Sequence, residues 1–294
     1  MIGTGPLGRT SLVVSRLGLG TSGLGALAEA EAFALLDAAY AMGVRVFDTA
    51  PSYGRAELLL GRWRRRAAHA DVVISTKVGY GVPGVEDWTG ASVALGVDQA
   101  LRTFAAQHLD LVHLHSCSGV VALRDDIQRA IGDALDAGKI TVAAYAGENE
   151  DLDAALASPL FGAVQLSVSL VDQGSRELRL ADLARRGIGV IAKRTLGNGP
   201  WSAASPPDDR PEAEYQRRFA RLELPPPDDG AWAKLALRFA AFSPGVDVAL
   251  VGTRSVERLR DAADAVAAGP LPDEVVDAIV ARWRARAFGW RGIV

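Results

Sequence analysis

Four side chains capable of acid–base chemistry follow three apolar runs of the sequence. Asp48 ends a run that predicts a buried strand, and Tyr53 comes five positions later in the loop that follows. Lys77 ends a second such run and His115 ends a third. Parallel sheets that close into barrels place their chemistry at the carboxyl ends of the strands. Taken alone, each of these residues could be a helix cap or a packing group. Because all four lie at or just after the ends of three consecutive predicted strands, they indicate a single functional site.

The chemistry that these residue types allow is proton transfer to a carbonyl oxygen. Tyrosine is a weak acid with an unperturbed pKa of about 10, and a nearby ammonium lowers that pKa because it favours the phenolate. Lys77 would be this cation, and Asp48 would keep it charged and oriented. Tyr53 could then act as a general acid, a role typically worth about 10²–10⁴-fold in rate. His115 would orient the carbonyl group and donate to the developing alkoxide.

The remaining histidines and the single cysteine have simpler explanations. His113 precedes His115 by two positions on the same side of the strand, and we interpret it as a packed core residue. His69 and His108 fall in predicted connections at the opposite end of the strands. Cys117 could line a pocket, but proton transfer to a carbonyl oxygen needs no nucleophile. Since no Cys/His cluster has metal-ligand spacing, no metal site is predicted.

The elements that must position these residues alternate along the chain. Because a helix separates each predicted strand from the next, the sheet must be parallel. Eight such units in this length predict a closed (β/α)₈ TIM barrel. An open doubly wound sheet is the alternative, but no Gly-x-Gly-x-x-Gly turn follows the first strand. Predicted strands end near residues 21, 48, 76, 115, 144, 167, 192 and 251, and predicted helices cover 29–42, 57–66, 91–107, 121–137, 150–157, 175–186, 228–242 and 255–267.

Three segments lie outside this alternation. Residues 6–14 predict a small β-hairpin that turns at Gly8. Residues 197–227 are rich in Gly, Pro, Ser and Asp and predict a long loop, which is usually functional or mobile. An additional helix starts at Leu271, with Pro272 in its first turn, and leads into a C-terminal tail. No linker divides the chain, so residues 1–294 are predicted to form a single domain.

Composition excludes several classes of protein. With 49% hydrophobic and 23% charged residues, the 294-residue chain is typical of a soluble globular protein with a large core. A net charge of −3 argues against binding to nucleic acid or an anionic membrane. A single cysteine excludes an intrachain disulfide. Neither a signal peptide nor an apolar run of about 20 residues is evident. We therefore expect a cytoplasmic protein that is a monomer or a weak homo-oligomer.

Segments along nearly the whole chain resemble the aldo-keto reductase family. The run from Asp48 to Gly54 is similar to the family signature that carries the catalytic aspartate and tyrosine. Residues 7–10, 15–21 and 138–140 resemble the family's N-terminal opening and its approach to the fifth strand. The resemblance implies an NADPH-dependent carbonyl reductase with Asp48, Tyr53, Lys77 and His115 as catalytic residues.

The resemblance also implies which residues bind NADPH or NADP⁺. Gln165 matches the glutamine that holds the nicotinamide carboxamide, while Ala146 and Gly147 stand where the family usually has serine and asparagine, leaving Asn149 as a possible substitute. Residues 252–259 resemble the segment that grips the 2′-phosphate, and Ala262 replaces an asparagine near the adenine, which implies looser adenine binding. The implied cofactor residues are Gly20, Thr21, Asn149, Gln165, Lys193, Arg194, Gly252, Thr253, Arg254 and Arg258.

The end of the seventh strand departs from most of the family. Ala192-Lys193-Arg194 is similar to a bacterial subgroup in which lysine replaces a tyrosine that stacks on the nicotinamide. An ammonium cannot stack in that way. We therefore expect Lys193 to hydrogen-bond the pyrophosphate or ribose of the cofactor, or to pair with an acid.

The substrate is expected to be a small carbonyl compound. Trp88, Trp201 and Trp290 are candidates for the walls of its pocket, although each could equally be ordinary packing. Two other functions share the same fold: a lyase or epimerase-like enzyme that retains its cofactor, and a cofactor-binding regulatory subunit or redox sensor. The complete set of four catalytic residues favours an enzyme, because a sensor need not keep its acid.

Overall fold

The N-terminal hairpin closes one end of a barrel. The computed structural model describes residues 1–67, 69, 71–202, 206–227 and 229–293. Strands β1 (Thr4–Pro6) and β2 (Val13–Ser15) pair antiparallel, which confirms the predicted hairpin. Gly8 in its turn has φ +54°, and a Cβ atom there would lie 2.4 Å from the backbone nitrogen of Gly189. Only glycine therefore lets the hairpin approach the barrel so closely.

Eight parallel strands form the closed barrel, which confirms the predicted TIM fold. Gly252 on the last strand pairs with Gly20 on the first, so the sheet has no free edge. The strands are β3 (Leu17–Gly20), β4 (Val46–Asp48), β5 (Val73–Val78), β6 (Leu109–His115), β7 (Ile140–Ala146), β8 (Phe161–Ser167), β9 (Gly189–Lys193) and β10 (Val248–Gly252).

Helices surround the barrel, preceded by a 3₁₀ turn at Leu24–Ala26. They are α1 (Glu29–Ala41), α2 (Ala56–Ala67), α3 (Gly90–Phe104), α4 (Gly119–Ala122), α5 (Asp125–Asp136), α6 (Asn149–Ala155), α7 (Gly174–Leu178), α8 (Leu180–Arg186), α9 (Pro211–Leu222), α10 (Trp232–Ala241), α11 (Val256–Ala267) and α12 (Asp273–Arg286). No helix within the described ranges is long and apolar enough to cross a membrane.

Two predicted helices are each interrupted. The predicted helix 121–137 is divided into α4, which Ser118 caps, and α5, whose first turn carries Asp125 and Asp126. The predicted helix 175–186 is divided at Arg179, which has the non-helical angles φ −125° and ψ −37°. The predicted helix 228–242 begins at Trp232, while its first predicted residue, Asp228, lies outside the described residues.

The segment 197–227 is only partly a loop, which corrects the prediction. Helix α9 occupies its second half, with Pro211 in the first turn and the acidic Glu212 and Glu214 beside it. Proline and acidic side chains both suit a helix start. Tyr215 and Leu222 lie on the buried face of this helix. Residues 203–205 of the segment lie outside the described residues.

Apolar side chains fill the barrel interior at the end that the hairpin covers. Leu7 and Val14 of the hairpin join the cluster of strand side chains that fills the barrel interior. The Gly8 backbone N–H also donates to Asp247 Oδ2 at 3.1 Å, which fixes the hairpin to the loop before β10. Polar side chains are therefore accommodated at the opposite end, where β4, β5, β6 and β8 finish.

Candidate active site

Asp48 is the centre of a buried hydrogen-bond network. It ends β4 and is only 4% exposed. Its Oδ1 accepts hydrogen bonds from Lys77 Nζ at 2.9 Å, Ser75 Oγ at 2.8 Å and Gln165 Nε2 at 2.8 Å, and its Oδ2 accepts a second contact from Lys77 at 2.8 Å. Burial raises the pKa of Asp48, but the Lys77 ammonium and these hydrogen bonds outweigh it and leave the pKa below its ordinary value.

Lys77 lies beneath the tyrosine that the sequence identifies as the acid. Its remaining hydrogen bond goes to the carbonyl oxygen of Thr49 at 2.8 Å, and its Nζ is 5.4 Å from the centroid of the Tyr53 ring. The predicted lowering of the Tyr53 pKa is wrong for this structure. Burial and the negative charge of Asp48 raise that pKa instead. Burial is the largest cause, and together with the charge of Asp48 it outweighs the effect that was expected from the Lys77 ammonium.

Ser75 and His113 extend the network into the core. Ser75 Oγ is 2.9 Å from His113 Nε2 as well as bonded to Asp48. Burial, together with the positive charge of Lys77, lowers the pKa of His113 to about 3, so the imidazole is neutral. Sequence reasoning missed Ser75, although it lies two positions before Lys77 and so shares its side of β5.

His115 contacts a tyrosine that sequence reasoning also missed. Its Nδ1 is 2.9 Å from the hydroxyl of Tyr80, which is in turn 2.9 Å from Ser52 Oγ. Burial and the charges of Lys77 and Lys193 lower the pKa of His115 to about 4, so it is neutral at pH 7. Tyr80 is placed by the loop that follows β5, three positions after Lys77. That short spacing was the available signal.

Two adjoining cavities form one long cleft at this end of the barrel. The first, of about 590 Å³, brings Asp48, Tyr53 and His115 together with Gly20, Gln165, Lys193, Arg194 and Gly252. The second, of about 840 Å³, contains Thr253, Arg254 and Arg258. The two cavities share wall residues: Ser22, Leu196, Asn198, Gly199, Val251 and Gly252.

The far end of the cleft is positively charged and includes the start of α11. Ser255 caps the helix by accepting the Arg258 backbone N–H at 3.2 Å, and Thr253 Oγ1 accepts the Ser255 N–H at 3.0 Å. Arg254 and Arg258 line the cavity, and Lys234 of α10, which sequence reasoning missed, joins them. A helix N-terminus with several cations is suited to a phosphate group.

Thr21, a predicted cofactor residue, is not among the described residues of the cleft wall and instead hydrogen-bonds the backbone of β4. Its hydroxyl donates to the carbonyl oxygen of Asp48 at 2.9 Å, and its backbone N–H donates to the same oxygen at 2.9 Å. Thr21 therefore holds β4 at the residue on which the network depends.

Lys193 pairs with an acid, one of the two arrangements expected for it. Its Nζ is 3.2 Å from Glu148 Oε1, which also accepts from the backbone N–H and hydroxyl of Ser167 at 2.9 and 2.7 Å. Glu148 is buried, whereas the Lys193 side chain remains 19% exposed at the cavity. Burial lowers the pKa of Lys193 against the opposing effect of Glu148. No local pattern predicts the role of Glu148, because its partners come from β8 and β9.

The C-terminal tail forms hydrogen bonds with two of the predicted cofactor-binding residues. Asn149 Nδ2 donates to Gly292 O at 2.9 Å, and its Oδ1 accepts the Gly292 N–H at 2.8 Å. Arg194 donates to the carbonyl oxygen of Ile293. Both polar groups of Asn149 are therefore engaged by the tail, and its role beside a carboxamide stays a prediction.

A second buried carboxylate lies under the tail. Asp172 Oδ2 accepts the Ile293 backbone N–H at 3.3 Å, and Arg218 donates to the Arg291 carbonyl oxygen at 2.9 Å. Burial and the negative charge of Glu148 raise the pKa of Asp172 to about 7. The tail is thus held by polar contacts from several parts of the barrel rim.

The three candidate tryptophans lie in three different places. Trp88 packs beside Tyr80, with ring centroids 5.6 Å apart. Trp201 lines the positively charged cavity, and Trp290 packs on Trp283 in the tail with centroids 5.2 Å apart. None of the three belongs to the described wall of the cavity that contains Asp48.

Cys117 and His69 are not among the described residues that line the cleft. Cys117 is buried, and burial raises the pKa of its thiol to about 12. His69 packs against Tyr40 and Trp63, with ring centroids 3.9 and 4.5 Å apart. Within the described residues, no group of three or more His, Cys, Asp or Glu side chains is arranged to hold a metal ion.

Comparisons with known proteins agree with this architecture. The model of the aldo/keto reductase family matches residues 16–284. The chain is 25% identical to L-galactose dehydrogenase of Arabidopsis thaliana, over 88% of this chain and 86% of that protein. It is 28% identical to pyridoxal 4-dehydrogenase of Microbacterium luteolum, over 86% and 90%. The holo form of aldo-keto reductase AKR11C1 from Bacillus halodurans superposes with a TM-score of 0.83 at 22% identity, over 96% of each chain, a likeness of fold.

Proposed function

Because the chain belongs to the aldo/keto reductase family, we propose that this oxidoreductase uses NADPH to reduce an aldehyde or ketone, with Tyr53 as the general acid. One observation carries the proposal: Asp48, Tyr53 and His115 line one cavity, and Lys77 lies directly beneath it, bonded to Asp48. The substrate would be a small carbonyl compound. The protein would act in the cytoplasm as a monomer or weak homo-oligomer.

The cleft fits a dinucleotide cofactor. The cleft runs from the cavity that contains Asp48 to the cations near the start of α11, and the two cavities share wall residues. Gly20 and Gly252 leave the floor of the cleft open, since a Cβ atom on either would meet no atom closer than 3.8 Å. Gln165 and Lys193 would face the nicotinamide end. Thr253, Arg254 and Arg258 would face the 2′-phosphate end. When bound, NADPH supplies the hydride that the carbonyl carbon receives.

The protein's own residues handle the proton. The raised pKa of Tyr53 keeps its hydroxyl protonated at neutral pH, so a proton is available. As the carbonyl carbon gains the hydride, its oxygen becomes an alkoxide, which is far more basic than a phenolate and takes the Tyr53 proton. The phenolate left behind lies near the ammonium of Lys77, 5.4 Å from the ring centroid, which stabilises it. Neutral His115 would hold the carbonyl oxygen in place.

The direct test is Tyr53→Phe. This change keeps the ring and removes only the proton, so carbonyl reduction should be lost while NADPH still binds. NADPH consumption with a panel of aldehydes gives the activity, and cofactor fluorescence gives the affinity. The reverse reaction should be assayed as well, since two relatives are named as dehydrogenases. Near-normal turnover by Tyr53→Phe would overturn the assignment of the acid.

Cofactor choice has its own test in Arg258→Ala. Loss of one charged hydrogen bond to the 2′-phosphate should weaken NADPH binding by roughly 1.5–3 kcal/mol and barely change NADH binding. The planar guanidinium is suited to both phosphate and adenine. Arg260→Ala is the matched control, because Arg260 is exposed on the same helix and outside the described wall of the cleft. Equal losses for both cofactors, or a wild-type preference for NADH, would contradict the proposed role.

A further inference from the structure

A line of polar side chains crosses three neighbouring strands of the barrel. Asp48 on β4 is paired in the sheet with Ser75 on β5, and Lys77 is paired with His113 on β6. Ser75 Oγ lies 2.8 Å from Asp48 Oδ1 and 2.9 Å from His113 Nε2, so the hydroxyl joins the two side chains. Ser75 and His113 are both fully buried, and neither is among the described residues of the cleft wall. Any effect of this pair on chemistry in the cleft must therefore pass through Asp48.

The contacts of Lys77 establish that Asp48 is an ionised carboxylate. Lys77 Nζ meets three acceptors: the two Asp48 oxygens at 2.9 and 2.8 Å, and the Thr49 carbonyl oxygen at 2.8 Å. An ammonium has three hydrogens, one for each acceptor, whereas a neutral amine has only two. Lys77 and Asp48 thus form a buried ion pair, and an ionised carboxylate can only accept hydrogen bonds.

The charge of Asp48 fixes the direction of the next two hydrogen bonds. Ser75 has one hydroxyl hydrogen, and it donates this hydrogen to the Asp48 carboxylate. Toward His113 the Ser75 oxygen can then only accept, so His113 Nε2 must be the donor. The hydrogen bonds consequently run in one direction, from His113 through Ser75 to Asp48.

The other nitrogen of the His113 ring determines its protonation state. Nδ1 is buried and has no hydrogen-bond partner in the described part of the chain. A hydrogen on Nδ1 would be a buried donor without an acceptor, which is unfavourable. The ring is therefore neutral, with its one hydrogen on Nε2. Burial and the charge of Lys77 act in the same sense, since they lower the pKa of His113 to about 3.

We propose that His113 and Ser75 are positioning residues that together hold the Asp48 carboxylate in place for the reaction. A hydroxyl whose oxygen accepts a hydrogen bond is a stronger donor, because successive hydrogen bonds polarise one another. His113 thereby strengthens the bond from Ser75 to Asp48, and Asp48 orients Lys77, whose Nζ is 5.4 Å from the centroid of the Tyr53 ring. The effect on turnover rests on the proposed carbonyl reduction, whereas the direction of the hydrogen bonds does not.

Nitrogen-15 NMR of the histidine rings tests that direction without any turnover. The chain has four histidines, and a His113→Gln variant identifies the His113 signals by their loss. In the wild-type protein, Nε2 should have the chemical shift of a protonated nitrogen and Nδ1 that of an unprotonated one. Both shifts should stay constant between about pH 5 and 8, the range in which an ordinary histidine titrates. A His113 ring protonated on Nδ1 within this range, with or without a hydrogen on Nε2, would overturn the proposal.

Turnover of Ser75→Ala measures the positioning role. This variant should lower kcat roughly tenfold, the scale of one hydrogen bond to a charged group, and leave the Kd of NADPH unchanged. Thr76→Val is the matched control, because Thr76 is the next residue of β5 and its hydroxyl also donates to a carboxylate, that of Glu57. The control should keep the wild-type kcat. An equal loss of kcat in both variants would reflect a general disturbance of β5 and would overturn the proposal.

Two replacements of His113 separate its hydrogen bond from its packing. The carboxamide nitrogen of His113→Gln can replace Nε2 as the donor to Ser75, whereas His113→Met fills a similar space without a donor. His113→Met should lower kcat roughly threefold, the scale of a neutral hydrogen bond, and His113→Gln should keep a kcat close to that of the wild-type protein. Urea denaturation shows whether each variant is folded. Equal losses of kcat in two folded variants would assign His113 to packing alone and overturn its role.

The two possible failures are distinguishable. A wild-type protein that turns over no carbonyl compound would refute the proposed function, while the nitrogen shifts would still decide the direction of the hydrogen bonds. An active enzyme whose kcat does not change in Ser75→Ala or His113→Met would refute the positioning role and leave the proposed function standing.

Discussion

Asp48 and Asp172 are both buried at the carboxyl end of the barrel, yet their pKa values shift in opposite directions. They are 4% and 1% exposed. Asp48 accepts hydrogen bonds from Lys77, Ser75 and Gln165, and its pKa is lowered although burial raises it. In the described part of the chain, the Asp172 side chain accepts one, from the Ile293 backbone N–H at 3.3 Å, and burial raises its pKa to about 7.

The donors near each carboxylate, rather than the depth of burial, decide the direction of the shift. The donors of Asp48 come from β5 and β8, where the barrel fixes their positions. Asp172 lies in the connection after β8 and meets the tail. The barrel thus stabilises a permanent charge at the proposed catalytic centre, while the tail is held beside a carboxylate that titrates near neutral pH.

The largest expected effect comes from Lys77→Met. It leaves Asp48 buried without its cation, which should lower the unfolding free energy at pH 7 by about 3–5 kcal/mol and abolish carbonyl reduction. Urea denaturation and turnover measure the two effects. Lys139→Met is the control, because Lys139 pairs with Asp98 at 2.7 Å with a 43% exposed side chain, and should cost less than about 1 kcal/mol. A folded Lys77→Met protein with wild-type kcat would show that Lys77 is structural only.

Asp172→Asn should change the pH dependence of stability. The native pKa of Asp172, about 7, lies above the ordinary aspartate value of 3.8, so the native state binds more protons than the unfolded state between these values. The stability of the wild-type protein therefore falls as pH rises through this range, by roughly 2–4 kcal/mol at about 1.4 kcal/mol per unit.

The asparagine variant lacks this loss. It should match the wild-type protein below pH 3.8, the ordinary pKa of the aspartate, and be more stable at pH 8, as thermal melts across this range would show. Asp48→Asn should do the reverse, with its greatest destabilisation at high pH, where the lost carboxylate would be charged. Identical pH profiles for Asp172→Asn and the wild-type protein would remove the contrast between the two aspartates.

A smaller effect is expected for Lys193→Met. Glu148 would lose its cation but keep two hydrogen bonds from Ser167, and the Lys193 side chain is partly exposed. We expect a loss of about 1–2 kcal/mol, between the values for exposed and buried pairs. NADPH titration of the same variant measures the second role. Unchanged affinity would show that Lys193 does not bind the cofactor.

The smallest effect is expected for Arg291→Ala, because its ion pair is the most exposed of those compared. Arg291 pairs with Glu150, but the two side chains are 66% and 73% exposed. Such pairs contribute little, so the unfolding free energy should change by less than about 0.5 kcal/mol. A loss comparable to that of Lys193→Met would mean that the pair anchors the tail, contrary to its exposure.

Local patterns were sufficient to predict the barrel and three of the strand-end residues. Asp48, Lys77 and His115 each end an apolar strand, and alternation of strands and helices determines where those ends meet. Glu148 was missed because its partners Ser167 and Lys193 lie on other strands, and no local spacing records such contacts. Tyr80 was missed although its position shortly after Lys77 was a signal. Helix α9 was missed because the composition of the whole segment 197–227 outweighed the start signal at Pro211.

The direction of the Tyr53 pKa shift was wrong for a related reason. The sequence places a lysine near the tyrosine, but the effect of its charge depends on where the aspartate is. In the structure, burial is the largest cause of the raised Tyr53 pKa, and the charge of Asp48, which contacts Lys77 with both oxygens, raises it further. Residue types alone therefore cannot give the sign of a shift that depends on how deeply the hydroxyl is buried and on which charges lie near it.

Closure of the barrel has a consequence for the protein during its synthesis. The last pairing, between β3 and β10, joins Leu17 to Ala249, so the first strand has no partner on one side until the last one is made. At about 5–20 residues per second, translation leaves that edge open for roughly 10–50 s. An unpaired edge is a template for pairing with another chain. Nascent chains on neighbouring ribosomes are therefore exposed to misassembly for most of the time that one molecule takes to be made.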